Sequence, residues 1–353
     1  MVKKEGIGSY FHCEILKLDT GNEIVLPFQY ELFYTGRQAL LYILNQINAE
    51  KKITKIWFPE YYCQHTLHWI QKSYPDISLY KLNPFDFSSD RVNISEFAET
   101  NDVVIINNYW GLSTMRTEKK EDSPVIIEDH SHGWLSKACL NSKADYCFVS
   151  LRKSLPIPLG GIYWKPNNTI TDDTFDFKEG DAFYKIWERM LQAMTIKSDY
   201  IENKTQSGSD IYGPLFYEVE DQLNKHTRFV RLKNEHKSYI ESWLKWNTLE
   251  IKENNLKVLY DHLEESPQFK VLKRSGYTAF GCDLVFKDEA ACKALKSYLV
   301  SHNIYPSMLW PDNKIDYTWQ FFMNIHVDFR YNEKDMLYIS KIINSWNHQY
   351  NSE

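Results

Sequence analysis

The 353-residue chain lacks the marks of several protein classes. No apolar run approaches the roughly 18 residues of a membrane span. Its first residues, MVKKEGIGSYFHCEILKLD, hold no apolar stretch of the length a secretory signal needs. There is no CxxC pair: the six cysteines (13, 63, 139, 147, 282 and 292) are scattered and read as reduced thiols. Nor is there a basic excess. Lys plus Arg number 41 and Asp plus Glu 47, so the net charge is −6, without the electrostatic footprint of a nucleic-acid binder. No fixed-period repeat or low-complexity tract occurs, which argues against solenoids and propellers. The expectation is a soluble, cytoplasmic, globular protein that binds neither nucleic acid nor membrane.

What the chain does have is a large stock of core-forming residues. It is 43% hydrophobic and 15% aromatic, with 24 Tyr and 11 Trp, so disorder is not the default reading. Its length suits one large or two medium domains. From about 30 to 165, short apolar runs alternate with helical patterns, which predicts βαβ units and a parallel sheet. Within 37–48, Leu40, Ile43, Leu44 and Ile47 share one helical face. Strands are predicted at 55–58, 103–107, 125–128, 145–150 and 161–164, most of them too continuously apolar to face water.

The pattern changes after Trp164. A polar stretch over 165–180 reads as an exposed loop, and 181–199 as a helix with Phe183, Ile186, Met190 and Met194 on one face. A second loop, 203–213, precedes a long, charged helical region running to about 264, a solvated face that implies no partner. The last ninety residues read as a smaller α+β unit. It has a strand at 278–286, a helix over 288–301 that Asp288 can cap, and a helix near 334–346 burying Met336, Ile339, Ile343 and Trp346. The fold class is α/β with a small C-terminal α+β domain. A large domain spans 1–240, with an N-terminal arm over 1–30, and the small domain spans 241–353.

Chemistry concentrates in 125–164. VIIEDHSHGW is a buried run ending in Glu128-Asp129, and ADYCFVSLRKSLPIPLGGIYW closes a strand at Ser150 and Lys153 before Gly160-Gly161 opens the next. Ligands of open α/β sheets bind at the carboxyl ends of the strands, where Asp129 and Lys153 both fall. An acid and a lysine there form either an ion pair or the two ends of a cofactor. Pyridoxal phosphate (PLP) needs a lysine for its aldehyde, a carboxylate for its pyridine nitrogen, N–H groups and hydroxyls for its phosphate, and a flat face for its ring. Candidates are Lys153, Asp129, the Thr35-Gly36-Arg37 helix start with Ser150, and Tyr62, Cys63, Tyr109 or Trp110.

In order, TGRQAL (35–40), FPEYYC (58–63), NNYWG (107–111), EDHSH (128–132) and SLRK…GG (150–161) resemble the DegT/DnrJ/EryC1/StrS family. MLWP (308–311) and HVDFRYNEKDM (326–336) resemble its small-domain region. The family consists of fold type I, PLP-dependent aminotransferases acting largely on nucleotide-linked keto-sugars. The resemblance implies Lys153 as the Schiff-base lysine, Asp129 as the N1 partner and His132 beside the ring hydroxyl. It puts Thr35, Gly36 and Ser150 at the phosphate. Cys63 falls close to the ring-stacking position, where many members carry an aromatic, leaving Tyr62 and Trp110 as alternatives. The Asn/Arg motif that many members extend across the dimer is not found, and SLRKSLPIPLGG marks a shorter, divergent branch. The implied activity is transfer of an amino group, from glutamate as donor, to a keto-sugar, nucleotide-linked. The protein would be a homodimer serving polysaccharide or secondary-metabolite synthesis. Lys153 sets it apart from the family's dehydratases, which carry His there. The rival functions are another fold type I reaction (lyase, desulfurase or acyl transfer) and a catalytically silent regulator or scaffold.

Each residue also has a structural reading. Thr35 and Gln38 form a capping box. Asp129 suits the cap of a turn, and His132 a core histidine. Gly160-Gly161 suits close packing, and Cys63 a small buried hydrophobe. His130 and His132, two residues apart after a strand, diverge, and no further ligand is spaced to join them, so no metal is expected.

Overall fold

The computed structural model describes residues 6–14, 23–87, 92–113, 122–166, 180–202, 208–226, 228–313 and 315–350. A short strand, β1 (Ile7–Gly8), precedes β2 (Tyr30–Phe33), which leads through Thr35 into α1 (Gly36–Glu50). Thr35 is extended and its hydroxyl accepts from Gln38 N at 3.2 Å, which starts the helix. The reciprocal half of a capping box is not formed, because the Gln38 amide donates instead to Arg228 O. Then follow β3 (Ile56–Pro59), α2 (Gln64–Gln71), β4 (Ile77–Tyr80), β5 (Val103–Asn107), β6 (Val125–Asp129), α3 (Lys137–Leu140), β7 (Tyr146–Ser150) and β8 (Gly161–Trp164).

All five predicted strands form, joined by β2 and β4 at the two edges of a seven-stranded sheet ordered β2-β8-β7-β6-β5-β3-β4. From β4 across to β7 the strands run parallel. β8 departs from the parallel expectation and runs antiparallel to both β7 and β2. The segment 151–160 between β7 and β8 falls short of the roughly dozen residues that a parallel crossover requires. The sheet is therefore mixed and mainly parallel. Alternation splits its apolar residues between two cores. Val104, Ile106 and Ile126 face one side, while Ile105 and Ile127 join Ala39, Leu40 and Ile43 of α1 on the other.

The predicted loop over 165–180 lies almost wholly outside the described residues. α4 (Asp181–Ile201) buries Phe183, Ile186, Met190 and Met194, the face its spacing predicted. The charged helical region after it is made of three helices: α5 (Ser209–Lys225), α6 (Asn234–Leu244) and α7 (Leu249–His262). α5 also begins inside the stretch expected to be a loop. Extended backbone at His226 and Lys233 interrupts the helical run that composition alone suggests.

The C-terminal part contains β9 (Phe269–Leu272), β10 (Cys282–Phe286), α8 (Glu289–Ser301), β11 (Ile304–Tyr305), β12 (Phe321–Ile325) and α9 (Glu333–Tyr350). β12-β10-β9 is antiparallel, and β1 pairs in parallel with β11. Asp288 caps α8 through Ala290 N and Ala291 N. β10 starts later than predicted, because Phe280 N leaves the ladder to donate to the Trp110 carbonyl. α9 buries Met336, Ile339, Ile343 and Trp346. This third core also takes in Tyr61, Tyr109 and Trp110 from the carboxyl edge of the large sheet. The small sheet thus packs against the edge where chemistry is expected. Among the described residues, no helix is long and apolar enough to cross a membrane.

Candidate active site

β5, β6 and β7 run in register, so Asn107, Asp129 and Phe148 lie side by side. Asp129 is the last residue of β6 and is buried. Its Oδ1 accepts from Ser131 N at 2.8 Å, the turn-capping bond, and its Oδ2 accepts from the Tyr62 hydroxyl at 2.5 Å. Tyr62 is buried, and desolvation followed by the Asp129 charge pushes its phenol well above the usual range, so it remains a donor. A carboxylate offers about four acceptor positions, so Asp129 keeps capacity for another donor.

Three residues beyond Asp129, His132 is buried with Nε2 at 2.9 Å from Lys153 Nζ. Burial first, and the lysine charge second, hold the imidazole well below its usual pKa, so it is neutral. Its Nε2 then accepts from the lysine amine, which leaves the proton on Nδ1, a buried atom with no hydrogen-bond partner among the described residues. Lys153 ends the single turn after β7 and is half-buried. The ends of β6 and β7 are tied by Ser150 N donating to Ser131 Oγ at 2.9 Å.

Gly160 and Gly161 bring the start of α1 to the same edge. A Cβ on Gly161 would lie 2.3 Å from Thr35 C and O, and Thr35 bridges to Gly160. A Cβ on Gly36 would lie 3.0 Å from Ser150 N. Thr35, Gly36 and Ser150 therefore converge, with the first N–H groups of a long helix among them. Arg37 turns aside: its Nη1 donates to Asn224 Oδ1 at 2.5 Å, and the guanidinium sits 6.0 Å from the Trp69 ring centroid.

The four residues proposed for the ring face go different ways. Tyr109 is buried and donates its hydroxyl to Tyr61 O. Cys63 is the half-buried N-cap residue of α2, and its side chain makes no capping bond. Tyr62 points its hydroxyl at Asp129. Trp110 is fully buried with left-handed backbone (φ 58°), donates its indole N–H to Pro84 O, and stacks on Phe322 and on His132.

Sequence reasoning missed Trp310. Its ring centroid lies 5.1 Å from that of His132 and 5.8 Å from that of Tyr62, and Lys153 Nζ is 5.6 Å away. Only its place within MLWP gave any signal. Ser131 was also missed; an Asx turn after a strand-end Asp could have suggested it.

A cavity of about 440 Å³ opens at Lys153, walled largely by aromatic and aliphatic side chains such as Tyr10, Phe216 and Tyr305. Its two arginines are paired, Arg152 with Glu220 at 2.6 Å and Arg330 with Asp328. Ser307 Oγ and His326 Nε2, 2.8 Å apart, supply polar atoms. On the opposite face of β6 the structure does bring other groups to His130. Glu128, His130 and Cys147 place one potential ligand atom each within 4.8 Å of one another. Hydrogen bonds already join them: His130 to Glu128 and Asn108, and Ser142 to Glu128 and Cys147.

No family model and no curated protein sequence matches the chain. Solved structures do. The sugar aminotransferase CalS13 from Micromonospora echinospora is 13% identical, with a TM-score of 0.56, 90% of this chain and 87% of that chain being covered. Spr1654 from Streptococcus pneumoniae, in its PLP form, is 11% identical with a TM-score of 0.58, over 97% of this chain and 99% of that one. A DegT DnrJ EryC1 StrS aminotransferase from Brucella abortus is 11% identical with a TM-score of 0.52, over 91% and 87%. At such identities the likeness establishes the fold: this chain has the α/β architecture that those aminotransferases share.

Proposed function

We propose that the protein is a PLP-dependent sugar aminotransferase of the DegT/DnrJ/EryC1/StrS type. The amino donor is an amino acid, glutamate first, and the acceptor a keto-sugar carried on a nucleotide, in a polysaccharide or secondary-metabolite route. The working unit is a cytoplasmic homodimer, each chain divided near residue 240 into a large and a small domain. The observation that carries this reading is Lys153 bonded to neutral His132 at the end of β7, one strand from the buried carboxylate Asp129 at the end of β6.

The residues present fit the cofactor. The unpartnered Nδ1–H of His132 and the remaining acceptor capacity of Asp129 are buried polar features without a full complement in the protein alone. Lys153 would hold the aldehyde end, Asp129 the pyridine nitrogen, His132 the ring hydroxyl, and Thr35, Gly36 and Ser150 the phosphate. When bound, PLP supplies an electrophilic carbon for amines and a ring that accepts negative charge.

This chain's own residues do the rest. Tyr62 and Ser131 N hold the Asp129 carboxylate in place, keeping an anion where positive charge must be stabilised. Lys153 Nζ moves the proton, as base and then as acid, at the substrate carbon. His132, neutral and fixed by packing against Trp110, orients that amine without adding a second cation. The cavity at Lys153 receives the substrate, and its aromatic walls suit the apolar faces of a sugar ring.

The test is a half-reaction. Purified protein loaded with PLP and then given excess glutamate should lose its visible absorbance band and release one equivalent of 2-oxoglutarate; keto-sugars should restore the band. A band that forms but ignores every amino donor rejects transamination in favour of another PLP reaction or a silent fold.

A further inference from the structure

We infer that Trp310 supplies the flat face for the cofactor ring, from the small-domain side, in place of the aromatic missing at Cys63. The inference rests on the PLP reading above. Of the aromatic side chains around Lys153 and His132, Phe280 lines the substrate cavity with Lys252 over its ring, and two others have no face to offer. Trp110 is 0% exposed and already has Phe322 at 3.7 Å and His132 at 5.3 Å in near-parallel contact. Tyr62 is held by its hydroxyl on Asp129. Cys63 has only a thiol.

Trp310 differs on each count. It is only partly buried. Its ring neighbours Tyr61, Tyr62, Trp110 and His132 lie at 5.1–5.8 Å, all tilted by 35–58°, so among the described residues no ring is stacked parallel to it. Those contacts, with Lys153 Nζ 5.6 Å away, set it among the groups assigned to the aldehyde and pyridine ends of the cofactor. Its backbone is left-handed (φ 53°), a conformation that a bulky L-residue adopts only when the surroundings impose it.

The surroundings do impose it. Tyr61 OH donates to Leu309 O at 3.1 Å, Asn313 Nδ2 to Tyr62 O at 2.8 Å, and Gln64 Nε2 to Asn313 Oδ1 at 2.5 Å. The loop carrying Trp310 is thus fastened to the segment 61–64, the same segment in which the family resemblance places its stacking aromatic. A ring lost from one end of these bonds is supplied from the other. An indole is also the most electron-rich of the aromatic faces, suited to an electron-poor pyridinium.

The experiment titrates PLP into the full-length wild type, Trp310→Phe and Trp310→Ala. It reads the visible absorbance band, the quenching of tryptophan emission, and the thermal unfolding of each protein without cofactor. The expected result is about tenfold weaker PLP affinity for Trp310→Ala, near-native affinity for Trp310→Phe, and a smaller quenching amplitude for Trp310→Phe, which has lost the indole nearest the cofactor. Equal affinity in Trp310→Ala with undiminished quenching in Trp310→Phe overturns the inference while the wild-type band upholds the cofactor. A wild type without any band overturns both. Should Trp310→Ala fail to fold, the quenching amplitude of Trp310→Phe decides alone.

Discussion

Lys153 Nζ donates to His132 Nε2 over 2.9 Å, joining the turn after β7 to the turn after β6. The bond requires a neutral imidazole, and burial keeps it so. A lysine in this position is aimed, where a solvated lysine would sweep a wide arc.

His132→Gln preserves an acceptor near the amine, and His132→Ala removes it. A charge-assisted hydrogen bond contributes on the order of 1.5–3 kcal/mol. His132→Ala is expected to slow the glutamate half-reaction at least about tenfold, and His132→Gln to recover most of the rate. Stopped-flow decay of the visible band checks both; equal rates in all three proteins would leave the contact without a role in catalysis.

Tyr62→Phe removes one of the two donors found on the Asp129 carboxylate. The expected loss of stability is about 1–2 kcal/mol in urea unfolding, with weaker PLP binding in the same variant. Unchanged stability and affinity would show that the Tyr62 hydroxyl does not hold the acid.

Gly161→Ala forces a Cβ to within 2.3 Å of the Thr35 carbonyl. Backbone is the obstacle, so the start of α1 must move, at a cost of about 1–3 kcal/mol. Because Thr35, Gly36 and Ser150 meet there, affinity for PLP should fall along with the melting temperature. A variant that melts lower yet binds PLP normally would separate this junction from the phosphate site.

His326, beside Lys153 in the cavity wall, is held down to about 4, chiefly by burial, with Arg330 and Lys197 adding to the shift and Asp328 opposing it. Its folded pKa is depressed, so the unfolded chain binds the proton first. The contribution is intact above about 6.5 and is lost as pH falls toward 4. His326→Gln should therefore lose less stability than wild type between pH 7 and 4, by about 1–3 kcal/mol in paired urea melts. Parallel curves for the two proteins would contradict the sign.

The strands that carry the site were legible because burial on both faces writes a continuous apolar run, as at 103–106 and 125–127. The edge strands β2 and β4 were not, since YELF and ISLY mix polar and apolar residues as much as a loop does. The reversal of β8 depended on the length of its connection rather than on its own residues. Within the candidate site, Asp129 and Lys153 could be named because each falls near the carboxyl end of a predicted strand, whereas His132 came only with the family resemblance. Tyr62's bond to Asp129 and the arrival of Trp310 were hidden for another reason. Both depend on where a distant segment packs, and in a chain 15% aromatic no single Trp or Tyr stands out. The cluster of Glu128 and His130 with Cys147 was missed likewise, because adjacent parallel strands bring it together across the sheet.

The most direct measurement is borohydride reduction of the PLP-loaded protein, followed by peptide mass spectrometry. The account predicts a single phosphopyridoxyl label on Lys153, and none in Lys153→Ala. No label, or a label carried by another lysine such as Lys252, would contradict it.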